Sequence, residues 1–242
     1  MKLRSLLFLT AAVAASVHAH ESTIRAPTTP GISPAFDIVE SRVRVEGGEV
    51  VFTQRVAGTA GAEHPAARGR LGGALVYSYV WPTSLDSSAV GFDERQGILA
   101  LAATIHPDFD DTPLYDEDGD GDKKNDGTRW HSHWVVLVKD ERCGPGGMKV
   151  RDIPKGAKPK LPATWPGLPI LIDSPGYTPV FEGPTVQVRL PLRDIGAPSD
   201  FRFDGVTSSL QVNASVHDPL LCINRVFDVA SGDLSLPGSV SH

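Results

Sequence analysis

The sequence of 242 residues has little that would point to nucleic acids, membranes or sulfur chemistry. Its 23 Lys and Arg residues form no run and are outnumbered by 29 Asp and Glu residues, which argues against a nucleic-acid partner. No segment reaches the roughly 20 apolar residues that a transmembrane helix needs. Only Met1 and Met148 carry a thioether, so a blue-copper site is disfavoured.

Cysteine is also scarce, with Cys143 and Cys222 alone in the chain. An even number of cysteines in an exported protein favours a disulfide that closes a long loop. The alternative is a thiolate ligand to a metal ion, which the shortage of methionine makes less attractive.

Signatures of common hydrolases are missing as well. The chain contains neither H-E-x-x-H nor G-x-S-x-G. An enzyme is therefore an alternative hypothesis only, as a zinc hydrolase or a copper oxidase with an open coordination position. Asp218 beside His217 would be its candidate base, although this carboxylate would serve equally well to orient the imidazole.

The N-terminus has the pattern of a secretory signal peptide over residues 1–19. Lys2 and Arg4 precede an apolar run, and Val17-His18-Ala19 forms a small-residue cleavage site. No lipobox cysteine follows. We therefore expect an exported protein of the periplasm, the cell surface or the medium.

The remaining chain predicts a mainly β fold with little helix. Residues 20–36 read as an extended arm, and residues 37–242 as a single antiparallel, sandwich-like domain. Gly47-Gly48 predicts a tight hairpin turn, and residues 152–184, with eight prolines, predict a long loop that packs onto the domain. The predicted strands are 37–45, 49–56, 73–80, 98–105, 133–139, 186–190, 208–216 and 223–229.

A very acidic segment follows the fourth predicted strand. Alternating aspartates with a glycine at the sixth position resemble the register of a calcium-binding loop, although Gly127 stands where such loops carry a bidentate Glu. Asp126, or Asp110 and Asp111 upstream, would have to replace that ligand; a solvated acidic turn without an ion is the alternative. The predicted calcium ligands are Asp116, Asp118, Asp120, Asp122 and Asp126.

Histidines surround this acidic segment. His131 and His133 are two residues apart on a predicted strand, so both side chains point to one face, opposite Trp130, Ser132, Trp134 and Val136. His217 lies in SVHDP and His106 in IHPDFD, each at a predicted strand end. We predict a metal site formed by His131, His133 and His217, with His106 and His64 as further candidates.

The segment HPDFDDTPLYDEDGDGDKKNDGTRWHSHWVVLV, together with SVHDP, resembles the MopE/CorA family of copper-binding surface proteins of methane-oxidising bacteria. The resemblance implies a mononuclear copper site made by two histidines, here His133 and His217, and a kynurenine formed by oxidation of tryptophan. His131 occupies the place expected for that tryptophan, and Trp130 lies one residue before it. A site of three histidines without kynurenine is the favoured interpretation.

Three function hypotheses follow. The first is an exported protein that scavenges, stores or delivers copper and also binds calcium in its acidic loop. The second is the zinc- or copper-dependent enzyme. The third is a calcium-stabilised β-sandwich binding module, for which Trp81, Trp130, Trp134 and Trp165 are too scattered to indicate a binding face. Binding of copper through His20 at a processed N-terminus is a further, less favoured interpretation.

Overall fold

The computed structural model describes residues 23–215 and 219–241, in which antiparallel strands predominate. The helical segments in these ranges are 3₁₀ turns of three or four residues, at Ser87–Val90, Asp126–Thr128, Glu141–Cys143 and Leu192–Ile195. The strands are β1 (Thr23–Arg25), β2 (Ile38–Glu46), β3 (Glu49–Val56), β4 (Leu75–Pro82), β5 (Ile98–Ile105), β6 (His131–Lys139), β7 (Met148–Val150), β8 (Ile172–Asp173), β9 (Val180–Glu182), β10 (Thr185–Pro191), β11 (Asp200–Phe203), β12 (Val206–Val212), β13 (Leu221–Val229) and β14 (Gly238–Ser241).

One layer of the fold is an open sheet in the order β1-β2-β3-β10-β9. Its β2–β3 hairpin turns through Gly47 and Gly48, with Glu46 paired to Glu49. Both glycines have positive φ, +60° and +85°, which a two-residue hairpin of the favoured twist requires. The predicted tight turn is confirmed.

The second layer closes on itself. Its strands follow the order β5-β4-β12-β13-β7-β6, and pairing of β5 with β6 completes a six-stranded barrel, to which β8 adds at β6. The prediction of a mainly β, antiparallel single domain is confirmed, and the sandwich is formed by an open sheet and a barrel. In this ring β7 links β13 to β6, and it contributes only three residues.

Two apolar cores explain why the barrel strands next to the open sheet are so hydrophobic. Tyr79, Trp81, Leu101 and Trp134 point out of the barrel into the core shared with the open sheet. Their neighbours along each strand, such as Val80 and Ala102, point into the barrel interior. Strands β4, β5 and β6 are thus buried on both faces, which accounts for a nearly continuous apolar run such as ILALAATI in β5.

Two of the eight predicted strands, β3 and β5, have the predicted bounds, and most of the others shift by one or two residues. The largest error is at β12, which ends at Val212 rather than at residue 216. The predicted arm contains a strand, because β1 pairs with β2. The proline-rich segment packs down as predicted, with Ile170, Leu171 and Ile172 buried.

A disulfide joins Cys143 to Cys222, across 79 positions of the sequence, and confirms the predicted pairing. It fastens the 3₁₀ turn after β6 to the start of β13. Throughout residues 23–215 and 219–241, no helix has the length and hydropathy needed to cross a bilayer.

Candidate metal centre

Three histidines meet at one end of the barrel. His106 follows directly after β5, and β6 begins at His131, which pairs with Thr104. Because alternate side chains of a strand share a face, His131 and His133 both point into the barrel. Trp134 and Val136 point the other way, into the core shared with the open sheet. The predicted common face of the two histidines is confirmed, and His106 joins them.

Asp111 completes the cluster from the segment after β5. Its Oδ1 atom lies 3.0 Å from His106 Nε2 and 3.2 Å from the Nε2 atoms of both His131 and His133. His106 Nε2 and His131 Nε2 are 2.9 Å apart. All four donor atoms fall within 4.8 Å of one another, and the four residues are between 1% and 6% exposed.

These separations match the size of a first-row metal ion. Donors at 2.0–2.1 Å from a tetrahedral ion lie about 3.3 Å from each other. The four donor separations given above, 2.9–3.2 Å, are close to this value. An ion of this size would need little movement of the chain.

The other ring nitrogen of each histidine faces a backbone carbonyl. His106 Nδ1 lies 2.8 Å from Phe109 O, His131 Nδ1 lies 2.8 Å from Arg129 O, and His133 Nδ1 lies 3.3 Å from Asp173 O. A carbonyl only accepts, so each Nδ1 carries a proton, and a ring without a second proton directs its Nε2 lone pair at the cluster. This arrangement is typical of metal-binding histidines.

Four lone-pair donors facing one point repel one another unless a cation lies between them. His133 Nε2 and Asp111 Oδ1 are buried without a hydrogen-bond partner. Burial alone would raise the pKa of Asp111, but the charges of His106 and His133 together outweigh it and hold that pKa well below its usual range. The Asp111 carboxylate in turn raises the pKa of His106 against the effect of burial, so a proton on His106 relieves part of the repulsion. Burial lowers the pKa of His131 to about 4.

Packing around the cluster fixes the segment that carries Asp111. The ring of Phe109 stacks on His106 with centroids 4.0 Å apart. Ser174 Oγ donates to Asp111 O at 2.9 Å and lies 3.1 Å from His133 Nδ1. Gly127 lies so close to the carbonyls of His106 and Phe109 that a Cβ there would collide with both. Position 127 is therefore glycine because it packs on the histidine centre, which accounts for the missing Glu of the calcium-loop pattern.

Comparisons of the chain with models of protein families, with curated proteins and with solved structures found no match.

Of the other histidines predicted as ligands, His64 is not part of this cluster. His64 is exposed, and its Nε2 lies 3.0 Å from Gly61 O. Its ring faces Trp130 at 6.2 Å, on the side of β6 away from the donor atoms. His217, its neighbour Asp218, and His20 lie outside the described residues, so their predicted roles stay predictions. Val212 and Leu221, which flank the His217 segment, pair at the barrel end that holds His106.

Trp130 packs away from the centre. Its ring lies 5.3 Å from Tyr79 and 5.0 Å from Phe181, and its Nε1 lies 3.4 Å from Gly61 O. A nitrogen derived from this side chain would face the core shared with the open sheet, whereas His131 supplies an imidazole to the cluster. The geometry therefore favours His131, and not a modified tryptophan, as the donor at the start of β6.

The acidic loop brings some of its predicted ligands together. Carboxylate oxygens of Asp116, Asp118 and Asp126 lie within 4.8 Å of one another. Asp126 is fully buried, and its Oδ2 has no hydrogen-bond partner. Asp120 and Asp122 are exposed, and each accepts a backbone N–H from two residues further on, at 2.7 Å and 3.1 Å. Burial, with the neighbouring Asp126 carboxylate, raises the pKa of Glu117 to about 7.

The role of Asp111 was missed by sequence reasoning, which assigned this residue only as a substitute calcium ligand. Its one distinguishing signal is position, since it follows His106 by five residues in a turn that must return towards His131. Several other aspartates in the segment share that description. The sequence alone does not single Asp111 out.

Proposed function

We propose that this protein is an exported copper-binding protein that holds one copper(II) ion between His106, Asp111, His131 and His133. The observation that carries the proposal is the buried convergence of three Nε2 atoms and one carboxylate oxygen, with each Nδ1 facing a carbonyl. A structural or storage site is closed in this way, whereas catalytic sites keep a position open. Binding is therefore favoured over a hydrolase.

The choice of copper rests on the donor set and on the resemblance. Imidazole suits copper and zinc, and sites of nitrogen and oxygen donors bind copper(II) more tightly than zinc. The resemblance to the MopE/CorA family points to the same metal. The Asp111 carboxylate favours copper(II), because copper(I) prefers soft ligands and a carboxylate suits a divalent ion. Zinc is the alternative that this carboxylate also suits.

Export is the second part of the proposal. The signal-like segment 1–19 supports it, and so does the disulfide, since such bonds persist in oxidising compartments. A closed, buried site is consistent with a protein that retains its ion outside the cell.

Calcium in the acidic loop is the third part. Asp116, Asp118 and Asp126 would supply ligands, and the unpartnered Oδ2 of buried Asp126 supports an ion at this place. Calcium takes six to eight oxygen ligands, so backbone carbonyls, water, or Asp120 and Asp122 after rearrangement would complete the shell. The ion would stabilise the loop that leads from Asp111 to His131.

The test is to incubate the purified protein with equimolar copper(II), zinc and calcium, desalt it, and measure bound metals by elemental mass spectrometry. We expect about one copper per chain, lost in His133→Ala and His131→Ala but retained in His64→Ala, the exposed control. Asp126→Asn should lose calcium and keep copper. Zinc without copper would overturn the metal assignment, and neither metal at the cluster would overturn the proposed function.

A further inference from the structure

The barrel interior contains an apolar cavity of about 130 Å³ that reaches the histidine cluster. Aliphatic side chains from every barrel strand line its walls, among them Val76, Ala102, Val135, Leu210 and Ile223. His106, Asp111 and His133 line one end of it. Protein interiors are close-packed and voids larger than a water molecule are few, so a cavity of this size calls for an explanation.

Water is a poor occupant of most of this space. The polar side chains on the cavity wall are already paired, since Ser78 Oγ and Ser208 Oγ lie 2.8 Å apart and Thr104 Oγ1 lies 3.2 Å from His131 Nε2. An apolar cavity of about 150 Å³ in another protein stays dry and binds benzene. The unpartnered polar atoms are concentrated at one end, at Asp111 Oδ1 and His133 Nε2.

The other end has an apolar rim at the surface. Ile98, Val226 and Leu234 line the cavity and are 42%, 43% and 41% exposed, among the most exposed large apolar side chains of the described chain. A rim of this kind gives an apolar molecule a path from solvent into the barrel. A hydrated ion gains nothing from the same path.

The loop between β13 and β14 lies at this rim. Leu234 and Leu236 both line the cavity, and both have positive φ, +58° and +52°. Leucine rarely adopts this backbone conformation, and it persists where the surrounding structure requires it. Arg202 Nε donates to Leu236 O at 2.7 Å and holds the loop from outside. The strained backbone thus keeps two leucines at the entrance of the cavity.

We propose that the barrel binds a small neutral molecule with a compact hydrocarbon body and a single hydroxyl group, its hydroxyl end at the histidine–aspartate cluster and its body in the apolar cavity. The cavity size sets the body at about that of a benzene ring. In the metal-free protein a hydroxyl pairs with the buried acceptor at Asp111, whereas an unsubstituted hydrocarbon leaves it unpaired, and such a loss discriminates strongly between ligands. The proposal depends on the metal-free cluster and its cavity, and not on which metal the cluster binds.

The test uses phenol as the probe and benzene as the comparison without a hydroxyl. Binding is followed by the methyl NMR signals of Val76, Val135 and Leu210 in the metal-free protein. We expect phenol to shift these signals in a saturable way and to bind at least about tenfold more tightly than benzene. No saturable shift with phenol, or equal affinity for benzene, would overturn the proposal.

Variants separate the cavity from nonspecific binding. Ala102→Leu places a larger side chain in the cavity and should abolish phenol binding, and retained metal binding shows that this variant is folded. Leu234→Ser should weaken binding several-fold, while Leu71→Ser, at a similarly exposed leucine away from the cavity, should not. Undiminished binding in Ala102→Leu would overturn the proposal. If the protein binds phenol but not copper, only the proposed function is overturned. If it binds copper but not phenol, only this inference is overturned.

Discussion

Ser174→Ala tests how the chain orients His133 in the proposed metal site. Ser174 is buried, and its hydroxyl donates to Asp111 O. The hydroxyl oxygen, Ser174 Oγ, can in turn accept the Nδ1–H of His133. This hydroxyl is therefore a second acceptor for the His133 ring, beside Asp173 O, and also holds the Asp111 backbone in position. Its removal should leave both donors in place with less restricted orientations.

The expected loss follows from the role of such partners. Removing a hydrogen-bond partner of a metal-binding histidine weakens metal affinity by about 10- to 100-fold. That range corresponds to about 1.4–2.7 kcal/mol of binding free energy. In the metal-free protein, Ser174→Ala removes hydrogen bonds of ordinary strength and should lower the free energy of unfolding by about 1 kcal/mol.

Ser132→Ala is the matched control. Ser132 is equally buried between the two histidines of β6, but its hydroxyl donates to Tyr177 O at 2.6 Å on the opposite face of the strand. Competition titration against a chelator measures metal affinity, and urea unfolding of the metal-free proteins measures stability. Both variants should lose similar stability and Ser174→Ala alone should lose affinity. Equal affinities in the two variants would refute the assigned role of Ser174.

Three further predictions concern the fold. Replacing Cys143 and Cys222 by serine opens a loop of about 80 residues and should cost about 4.5 kcal/mol in urea unfolding; a loss below about 1 kcal/mol would contradict the loop-entropy argument. Burial raises the pKa of Tyr79 from 10.0 to about 12, so the unfolded chain loses this proton first and about 3 kcal/mol of stability should disappear as pH rises from 10 towards 12. Tyr79→Phe should show less alkaline loss than the parent, and an identical pH profile would contradict this. Gly127→Ala should destabilise the metal-free protein by about 2 kcal/mol or more and weaken metal binding, because its Cβ collides with the His106 and Phe109 carbonyls. The same unfolding and chelator titrations measure both effects, and parent-like values would contradict the packing argument.

The alternation of apolar residues was sufficient to predict most strands, the β2–β3 hairpin and the shared face of His131 and His133. These features depend on local geometry, in which each side chain's direction follows from its place in the strand. The disulfide was predictable from composition and compartment. Closure of the barrel was not, because it depends on the pairing of β6 with the three-residue strand β7, which is too short to show a pattern.

The membership of the candidate metal site was only partly predictable for the same reason. His106 and His131 become neighbours because β5 pairs with β6 in a register that places Thr104 beside His131. Asp111 reaches them through the path of a loop, which the sequence does not specify. His64 has the same chemistry as the others, but its loop runs on the far side of β6, beside Trp130.

The burial of the donor atoms has a consequence for metal exchange. At no more than 6% exposure, the four residues keep a bound ion out of contact with bulk solvent, and the adjoining cavity is lined by apolar side chains that favour no hydrated ion. We expect an ion to leave when the segment carrying Phe109 and Asp111 lifts off His106, so that the exchange rate follows this opening rather than the affinity. A centre of this kind holds its ion for long periods even where the surrounding metal concentration falls. Such kinetic inertness suits long-term retention of the ion better than rapid transfer to a partner.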